Sequence, residues 1–115
     1  MDSKFDLTKG RLERARYEIK VRKINTLFAR KDYDKALNVA LKLLRKYPTQ
    51  PNLYNTVGEI HLSLNQIDHA IRSFKEALKL DANYSEGYFN LGSAFALKGQ
   101  TKEASTNFQK VIQLI

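Results

Sequence analysis

The sequence contains no cysteine, which excludes disulfide bonds and thiolate metal sites. Its two prolines and five glycines supply little turn chemistry for an all-β fold. No apolar run approaches the ~18 residues that a membrane-spanning helix needs, and residues 1–10 lack the apolar region of a signal peptide. A length of 115 residues suits one domain with its own hydrophobic core. We therefore expect a cytoplasmic chain that stays out of membranes.

The excess of positive over negative charge is confined to the first half of the sequence. The net charge is +8; residues 1–50 carry 14 Lys and Arg against six Asp and Glu, whereas residues 51–115 carry six of each kind. A basic half predicts an acidic partner, such as nucleic acid, a membrane surface or an acidic protein face. Scattered Lys and Arg are also typical of exposed helix faces. The basic patch consists of Arg11, Arg14, Arg16, Lys20, Arg22 and Lys23.

Several residue types recur with a period of 34. The matching positions are Ala36, Ala70 and Ala104; Tyr54 and Tyr88; Gly58 and Gly92; and Phe74 and Phe108. Apolar residues at helical spacing fill each period, and this pattern predicts a helical solenoid. The repeats are 17–50, 51–84 and 85–115, with helices near 17–30, 34–46, 51–63, 67–80, 85–97 and 101–114. Residues 1–16 form a basic, partly helical arm in which the first helix begins near Arg11.

Small residues predict how the two helices of a unit meet. Gly58 and Gly92 on the first helix are expected to let Ala70 and Ala104 on the second helix approach closely. Larger aromatic residues then fill the space around that contact.

The turns inside each unit carry their own signals. Asn65 and Gly99 occupy matching positions and tolerate the left-handed conformation in which many helices end. Lys31 takes this position in the first unit and fits it less well. Asp34 and Asp68 are expected to cap the second helices by accepting hydrogen bonds from free backbone N–H groups.

The repeats resemble those of the tetratricopeptide repeat (TPR) family. In the third unit, Tyr88, Leu91, Gly92, Ala104 and Phe108 fill the family's aromatic, Leu-Gly, Ala and Phe positions. The second unit matches at Tyr54, Val57, Gly58, Ala70 and Phe74, whereas the first has Lys20, Lys23 and Ile24 in place of the aromatic residue, Leu and Gly. The resemblance covers residues 17–115. It implies a right-handed all-α superhelix that binds proteins or peptides in a concave groove.

A narrower resemblance concerns individual repeats. The run from Tyr88 to Ala104 is similar to repeats of O-linked N-acetylglucosamine transferases and of bacterial proteins that carry TPRs ahead of a transferase domain. Residues 25–48 resemble the first repeat of such bacterial proteins. This resemblance implies that the chain is the substrate- or partner-recruiting segment of a longer protein.

The TPR resemblance also implies which residues line the groove. These residues are Asn25, Phe28, Asn52, Asn55, Glu59, Glu86, Phe89, Asn90 and Ser93. Clamp-type TPRs hold a C-terminal carboxylate with Lys, Arg and Asn, and Asn25 matches one such position. Val21 and Glu86 stand where Lys is needed, and Asn90 stands where Arg is needed. We therefore expect an extended peptide held through amides, which both donate and accept hydrogen bonds, and not an acidic chaperone tail.

The sequence offers no arrangement that indicates catalysis. His61 and His69 lack the i, i+4 partner of a helical zinc site, and neither a phosphate-binding loop nor a nucleophile elbow is present. We expect a protein that is not an enzyme and uses no cofactor or metal.

Two functions of different classes follow from these observations. The leading hypothesis is a protein–protein interaction scaffold, and the alternative is a nucleic-acid-binding helical protein that acts through its basic N-terminal half. The last helix ends in a run of apolar side chains, Phe108, Val111, Ile112, Leu114 and Ile115. Because such a face is covered by the next helix in a repeat array, we also expect possible self-association through it.

Overall fold

Six helices make up the structure, a computed structural model that describes the backbone of residues 2–115 and the side chains of residues 8–115. The helices are α1 (Asp2–Ala29), α2 (Tyr33–Lys46), α3 (Pro51–Ser63), α4 (Ile67–Leu80), α5 (Ser85–Leu97) and α6 (Thr101–Gln113). No strand occurs in the part of the chain that is described. The predicted all-α solenoid is confirmed, and α2 to α6 begin and end within one residue of the predicted positions.

The helices stack in sequence order as three hairpins. Helices α1 and α2, α3 and α4, and α5 and α6 pack as pairs, and α2–α3 and α4–α5 contacts join one pair to the next. The second helix of each pair is amphipathic; in α4 the buried residues are Ala70, Ile71, Phe74 and Ala77, which share one face. Helix α3 contacts α2, α4 and α5, so it buries residues on several sides.

The turn inside each hairpin has the same backbone geometry. Lys31, Asn65 and Gly99 all lie in the left-handed region, with φ of 64°, 59° and 81°. After each of them, the next residue donates its N–H to a carbonyl five residues back; one example is Gln66 to the carbonyl of His61 at 2.8 Å. This bond closes the helix end. A lysine therefore occupies a conformation that costs side-chain-bearing residues about 1–2 kcal/mol.

The glycines of the second and third hairpins make room for aromatic rings. A Cβ placed on Gly58 would lie 2.3 Å from Cε1 of Phe74, and one on Gly92 would lie 2.7 Å from Cε1 of Phe108. Both distances are far below the ~3.5–4.0 Å of favourable carbon contacts. The neighbours nearest to each glycine are therefore ring atoms and not the alanines of the sequence-based expectation.

The first hairpin fills the same two positions in the opposite way. At the equivalent positions one repeat earlier, Ile24 replaces Gly58 and Ala40 replaces Phe74. Ile24 is 1% exposed and Ala40 is 0% exposed, and both belong to one core cluster. The large residue has moved from the second helix to the first, so the volume enclosed between the helices is largely conserved.

Helix α1 is longer than predicted. It begins at Asp2, so the prediction of a start near Arg11 is wrong, and Gly10 lies inside the helix. An interior glycine costs ~1 kcal/mol relative to alanine, which weakens a helix without ending it. The side chains of residues 1–7 of the predicted arm lie outside the described residues.

Two aromatic residues fasten this helix extension to the end of α2. The Tyr47 hydroxyl donates a 2.8 Å hydrogen bond to Glu13 Oε2. The rings of Tyr17 and Tyr47 meet edge to face with centroids 5.1 Å apart. Helix α1 therefore packs on the end of α2 from Glu13 onward.

The predicted aspartate caps are absent in the structure. The N-cap residues of α2 and α4 are Asp32 and Gln66, neither of which forms a side-chain cap hydrogen bond. Asp34 and Asp68 are instead the second residues of their helices, where a negative charge still favours the helix dipole. Lys98 Nζ donates to Asp68 Oδ1 at 2.7 Å, and this bond holds the pKa of Asp68 below its usual range.

Candidate peptide-binding groove

The structure distributes the predicted groove residues over the first helices of the three hairpins. Asn25, Asn52, Glu86 and Phe89 are exposed; Phe28, Glu59, Asn90 and Ser93 are half-buried; and Asn55 is buried. Only some of these residues come together. Five of them form one connected site, namely Asn55 and Glu59 of α3 and Glu86, Phe89 and Asn90 of α5.

A polar network joins α3 to α5 across a repeat boundary. Asn90 Nδ2 donates to Asn55 Oδ1 at 3.0 Å and lies 3.4 Å from Glu59 Oε1. Asn55 Nδ2 donates to the same Glu59 oxygen at 2.9 Å. Asn55 is 2% exposed, so its hydrogen bonds are satisfied inside the protein and it serves the packing of the two repeats. Asn90 Oδ1 accepts no hydrogen bond from the described side chains, which leaves an acceptor for a ligand.

Carboxylates give this site a negative character. Burial raises the pKa of Glu59, the charge of Glu86 raises it further, and the hydrogen bonds from Asn90 and Asn55 oppose the shift. The Tyr84 hydroxyl donates to Glu86 Oε2 at 3.3 Å. Burial, followed by the charge of Glu86, raises the pKa of Tyr84 far above its ordinary value, so its hydroxyl stays protonated. An anionic ligand group would meet unfavourable charge here.

A cavity of about 350 Å³ opens beside the network. It is lined by Glu59, Ser85, Glu86, Phe89, Asn90 and Val111. Phe89 is 56% exposed, and its ring centroid lies 5.8 Å from that of Phe108. The cavity therefore combines an apolar surface with a free amide oxygen and two carboxylates. This combination suits a peptide backbone with an apolar side chain.

Sequence reasoning missed part of this site. Tyr84 precedes α5, and its counterpart one repeat earlier is Gln50, so the repeat pattern carries no signal for it. Val111 enters the cavity from α6, although the resemblance places only first helices in the groove.

The remaining predicted groove residues lie apart from the cavity. Phe28 packs on Tyr33 with ring centroids 5.3 Å apart and joins the core of the first hairpin. The Ser93 hydroxyl donates to the carbonyl of Phe89 at 3.0 Å. Asn25 and Asn52 are exposed on α1 and α3. Their part in ligand binding stays a prediction.

The basic patch is split by the structure. All six of its residues are exposed on α1. Arg16, Lys20 and Lys23 face a cavity of about 310 Å³ that α1 shares with α2, whereas Arg11, Arg14 and Arg22 do not line it. Lys42 and Lys46 of α2 complete the cavity's charge, and sequence reasoning missed both.

The histidines take part in packing. Nδ1 of His61 lies 2.7 Å from Oε1 of Gln66, and the ring centroids of His61 and His69 are 5.1 Å apart. The described residues hold no group of three His, Cys, Asp or Glu that could bind a metal ion.

Among the described residues, no helix is long and apolar enough to cross a membrane.

Family models and relatives agree with the repeat pattern. A "TPR repeat" model matches residues 58–99, and a "Tetratricopeptide repeat" model matches residues 85–115. The chain is 31% identical over 90 residues to small glutamine-rich tetratricopeptide repeat-containing protein 2 of Saccharomyces cerevisiae, covering 78% of this chain and 26% of that protein. It is 34% identical over 92 residues to heat shock protein STI1 of the same yeast, covering 78% of this chain and 15% of that protein. The chain thus spans about a quarter or less of these relatives.

A solved structure shows the same fold. The second TPR of Spaghetti (RPAP3), bound to the HSP90 peptide SRMEEVD, superposes with a TM-score of 0.81 at 20% identity and covers 86% of this chain and 92% of that chain. None of these three proteins is an O-linked N-acetylglucosamine transferase, so that narrower resemblance stays a prediction.

Proposed function

The chain is a tetratricopeptide repeat protein, and we propose that it is an interaction scaffold whose groove binds an extended segment of a partner protein. The observation that carries this proposal is the cavity formed by α3, α5 and α6, with the exposed Phe89 ring beside the free acceptor of Asn90. The RPAP3 repeat domain of similar fold has a peptide bound to it. The proposal assigns binding without catalysis.

The charge of the groove limits which segment fits. Glu59 and Glu86 line the cavity together, and burial strengthens the interaction of Glu59 with any charge nearby. The HSP90 peptide SRMEEVD is acidic at its end. We therefore propose that the partner segment is neutral or basic where it passes the cavity, and that the groove does not clamp an acidic C-terminus.

Two peptides of equal length test this proposal by NMR. One is SRMEEVD, and the other is SRMQQVN with an amidated C-terminus, which removes the carboxylates and little else. We expect the amidated peptide, which carries no carboxylate, to shift the resonances of Glu86, Phe89 and Asn90, and the acidic peptide to bind more weakly by roughly tenfold or more. The paired substitution Glu86→Lys and Asn90→Arg should increase the affinity for the acidic peptide only. Tight binding of SRMEEVD to the unmodified chain, centred on Asn25 and Asn90, would contradict the proposal.

The nucleic-acid alternative receives no support from the matched families or the three proteins named above. A random oligonucleotide that fails to bind at ~50 mM salt would remove it, because phosphate contacts are strongest at low salt. The cytoplasmic location and the division into an N-terminal arm and three repeats stay predictions. Fractionation and limited proteolysis test them.

Self-association through α6 also stays a prediction. Ile112 is 69% exposed and Ile115 is 99% exposed. Light scattering that shows a strict monomer at high concentration would count against it.

A further inference from the structure

One face of α3 and one face of α5 each pack against the hairpin before them. In α3 this face carries Leu53, Val57 and Ile60, which are buried in a cluster with residues of α2. In α5 the matching residues Gly87, Leu91 and Ala94 are buried. In α1 the matching residues are Ile19, Lys23 and Thr26, and all three are exposed. None of the described residues covers this face of α1.

Beside this face lies a groove between α1 and α2 with a charged rim and an apolar floor. We call it the basic groove; it consists of Arg16, Lys20, Lys23, Lys42 and Lys46 at the rim and Tyr17, Val39, Leu43 and Tyr47 at the floor. Lysines on an exposed face can serve solubility alone. An apolar floor between them indicates in addition a surface that a ligand can cover.

The next repeat shows which element borders an equivalent groove. Four residues of the basic groove have counterparts one repeat later that line a second cavity. Lys20, Lys23, Val39 and Lys42 correspond in this order to Tyr54, Val57, Ser73 and Glu76. Leu41 and Leu44 of α2 border that cavity. A helix with leucines on one face therefore forms one wall of this cavity in the second repeat. The same place on the first repeat has room for another such helix.

The charge of the rim is only partly neutralised. Glu13 lies 3.4 Å from Arg16 and 3.8 Å from Lys46. Lys20, Lys23 and Lys42 form no ion pair with any side chain of residues 8–115. Three cations beside one apolar floor favour a ligand that carries carboxylates next to apolar side chains.

We propose that the basic groove docks an acidic amphipathic helix of a partner protein, lying on α1 and α2 as α2 lies on α3. The leucine-type residues of that helix would cover Val39 and Leu43, and its carboxylates would pair with Lys20, Lys23 and Lys42. This surface is separate from the groove of α3, α5 and α6, so experiments can contradict one of the two proposed binding sites without affecting the other.

Three stapled peptides test the proposal against the full chain by calorimetry. The acidic probe is the α2 sequence, residues 33–46, with Lys35→Glu, Lys42→Glu, Arg45→Glu and Lys46→Glu. The second probe is the unchanged α2 sequence, which keeps the apolar face and reverses the charge. The third is a scrambled acidic probe, which keeps the charge and loses the apolar face. We expect only the acidic probe to bind with saturation and to shift the resonances of Tyr17, Val39 and Leu43.

Matched charge reversals locate the binding. The pair Lys20→Glu and Lys23→Glu should weaken the acidic probe by roughly tenfold or more, because each change replaces attraction by repulsion. The pair Lys35→Glu and Lys102→Glu changes the net charge equally on exposed positions outside the groove and should leave binding nearly unchanged.

Four outcomes would overturn the proposal. The first is that the acidic probe does not bind. The second is that the scrambled probe binds equally well, which would show that binding depends on net charge alone. A random DNA oligonucleotide binds through Lys20 and Lys23 in preference to the probe, which would assign the groove to nucleic acid. Dimerisation without any probe, lost in the Lys20→Glu and Lys23→Glu variant, would assign the groove to a second copy of the chain.

Discussion

The first and second hairpins solve one packing problem with opposite residues. The second hairpin places Gly58 on its first helix and the fully buried Phe74 on its second. The first hairpin places Ile24 and Ala40 at the same positions, both buried. A repeat family's motif thus describes one way of filling a fixed space. A unit can depart from the motif at both positions and still pack, provided the departures compensate.

The largest effect should come from removing the large partner in the first hairpin. Ile24→Gly deletes a buried side chain and places glycine inside a helix, which together should lower the free energy of unfolding by about 3–6 kcal/mol. Ala40→Phe alone should cost about 1–3 kcal/mol through overpacking. The double variant recreates the pair of the second hairpin and should be more stable than Ile24→Gly alone. Urea unfolding measures all of these, with Ile24→Val as a mild reference.

Additive losses in the double variant would show that the two positions do not share one space, and the compensation argument would then fail.

A smaller effect distinguishes the second hairpin from the third. Gly58→Ala forces a methyl group against Phe74, which is 0% exposed and cannot move away, so we expect a loss of about 1–3 kcal/mol. Gly92→Ala meets the half-buried Phe108 near the end of the stack. The Phe108 ring can shift, and alanine stabilises a helix by ~1 kcal/mol relative to glycine. Thermal unfolding should therefore rank Gly58→Ala well below Gly92→Ala. Equal losses would contradict this ranking.

The turns give an effect of opposite sign. Lys31→Gly should stabilise the first hairpin by roughly 0.5–1 kcal/mol, because glycine adopts the left-handed conformation without strain, less the cost of a more flexible unfolded chain. Lys42→Gly, in the interior of α2, should instead destabilise by ~1 kcal/mol. If Lys31→Gly also lowers the stability measured by chemical denaturation, the left-handed backbone at Lys31 is not a source of strain.

The smallest effect concerns one repeat position in the groove. Asn25 and Glu59 occupy the same position in successive repeats, and only Glu59 is ionisable. Its raised pKa means that the folded state holds the proton more tightly than the unfolded state, so the contribution of Glu59 to stability falls as pH rises above its ordinary value of 4.5. Glu59→Gln should therefore gain stability relative to the unmodified chain between acidic and neutral pH. Glu103→Gln, on the exposed face of α6, serves as the control. A difference that does not change with pH would contradict the assignment.

The sequence predicts the helices well because their signals are local. The repeat period sets the register, Pro51 begins α3, and Asn65 and Gly99 mark helix ends. The side-chain contacts are harder to predict because the period does not say which neighbours touch. The Asn55–Asn90 hydrogen bond joins residues 35 positions apart, which a comparison of equivalent positions does not reveal.

The same limit applies to charge. The basic patch predicted from the sequence contains residues of α1 alone, whereas Lys42 and Lys46 reach the basic groove from α2. Their position depends on how α1 and α2 cross, and helical spacing within one segment does not contain that information. The sequence predicts a start of α1 near Arg11, after Gly10, because glycine is a poor helix former, whereas the helix continues through Gly10 to Asp2 in the structure.

The contact between α3 and α5 has a consequence for the order in which the molecule comes apart. These two helices touch directly, and the Asn90 amide is bound across their boundary. Helix α1 makes no comparably extensive contact with α3 among the described residues, so the first hairpin is joined to the second through α2. In a solenoid each junction opens according to its own strength. The molecule should therefore fray from its basic end while the groove of α3, α5 and α6 stays intact.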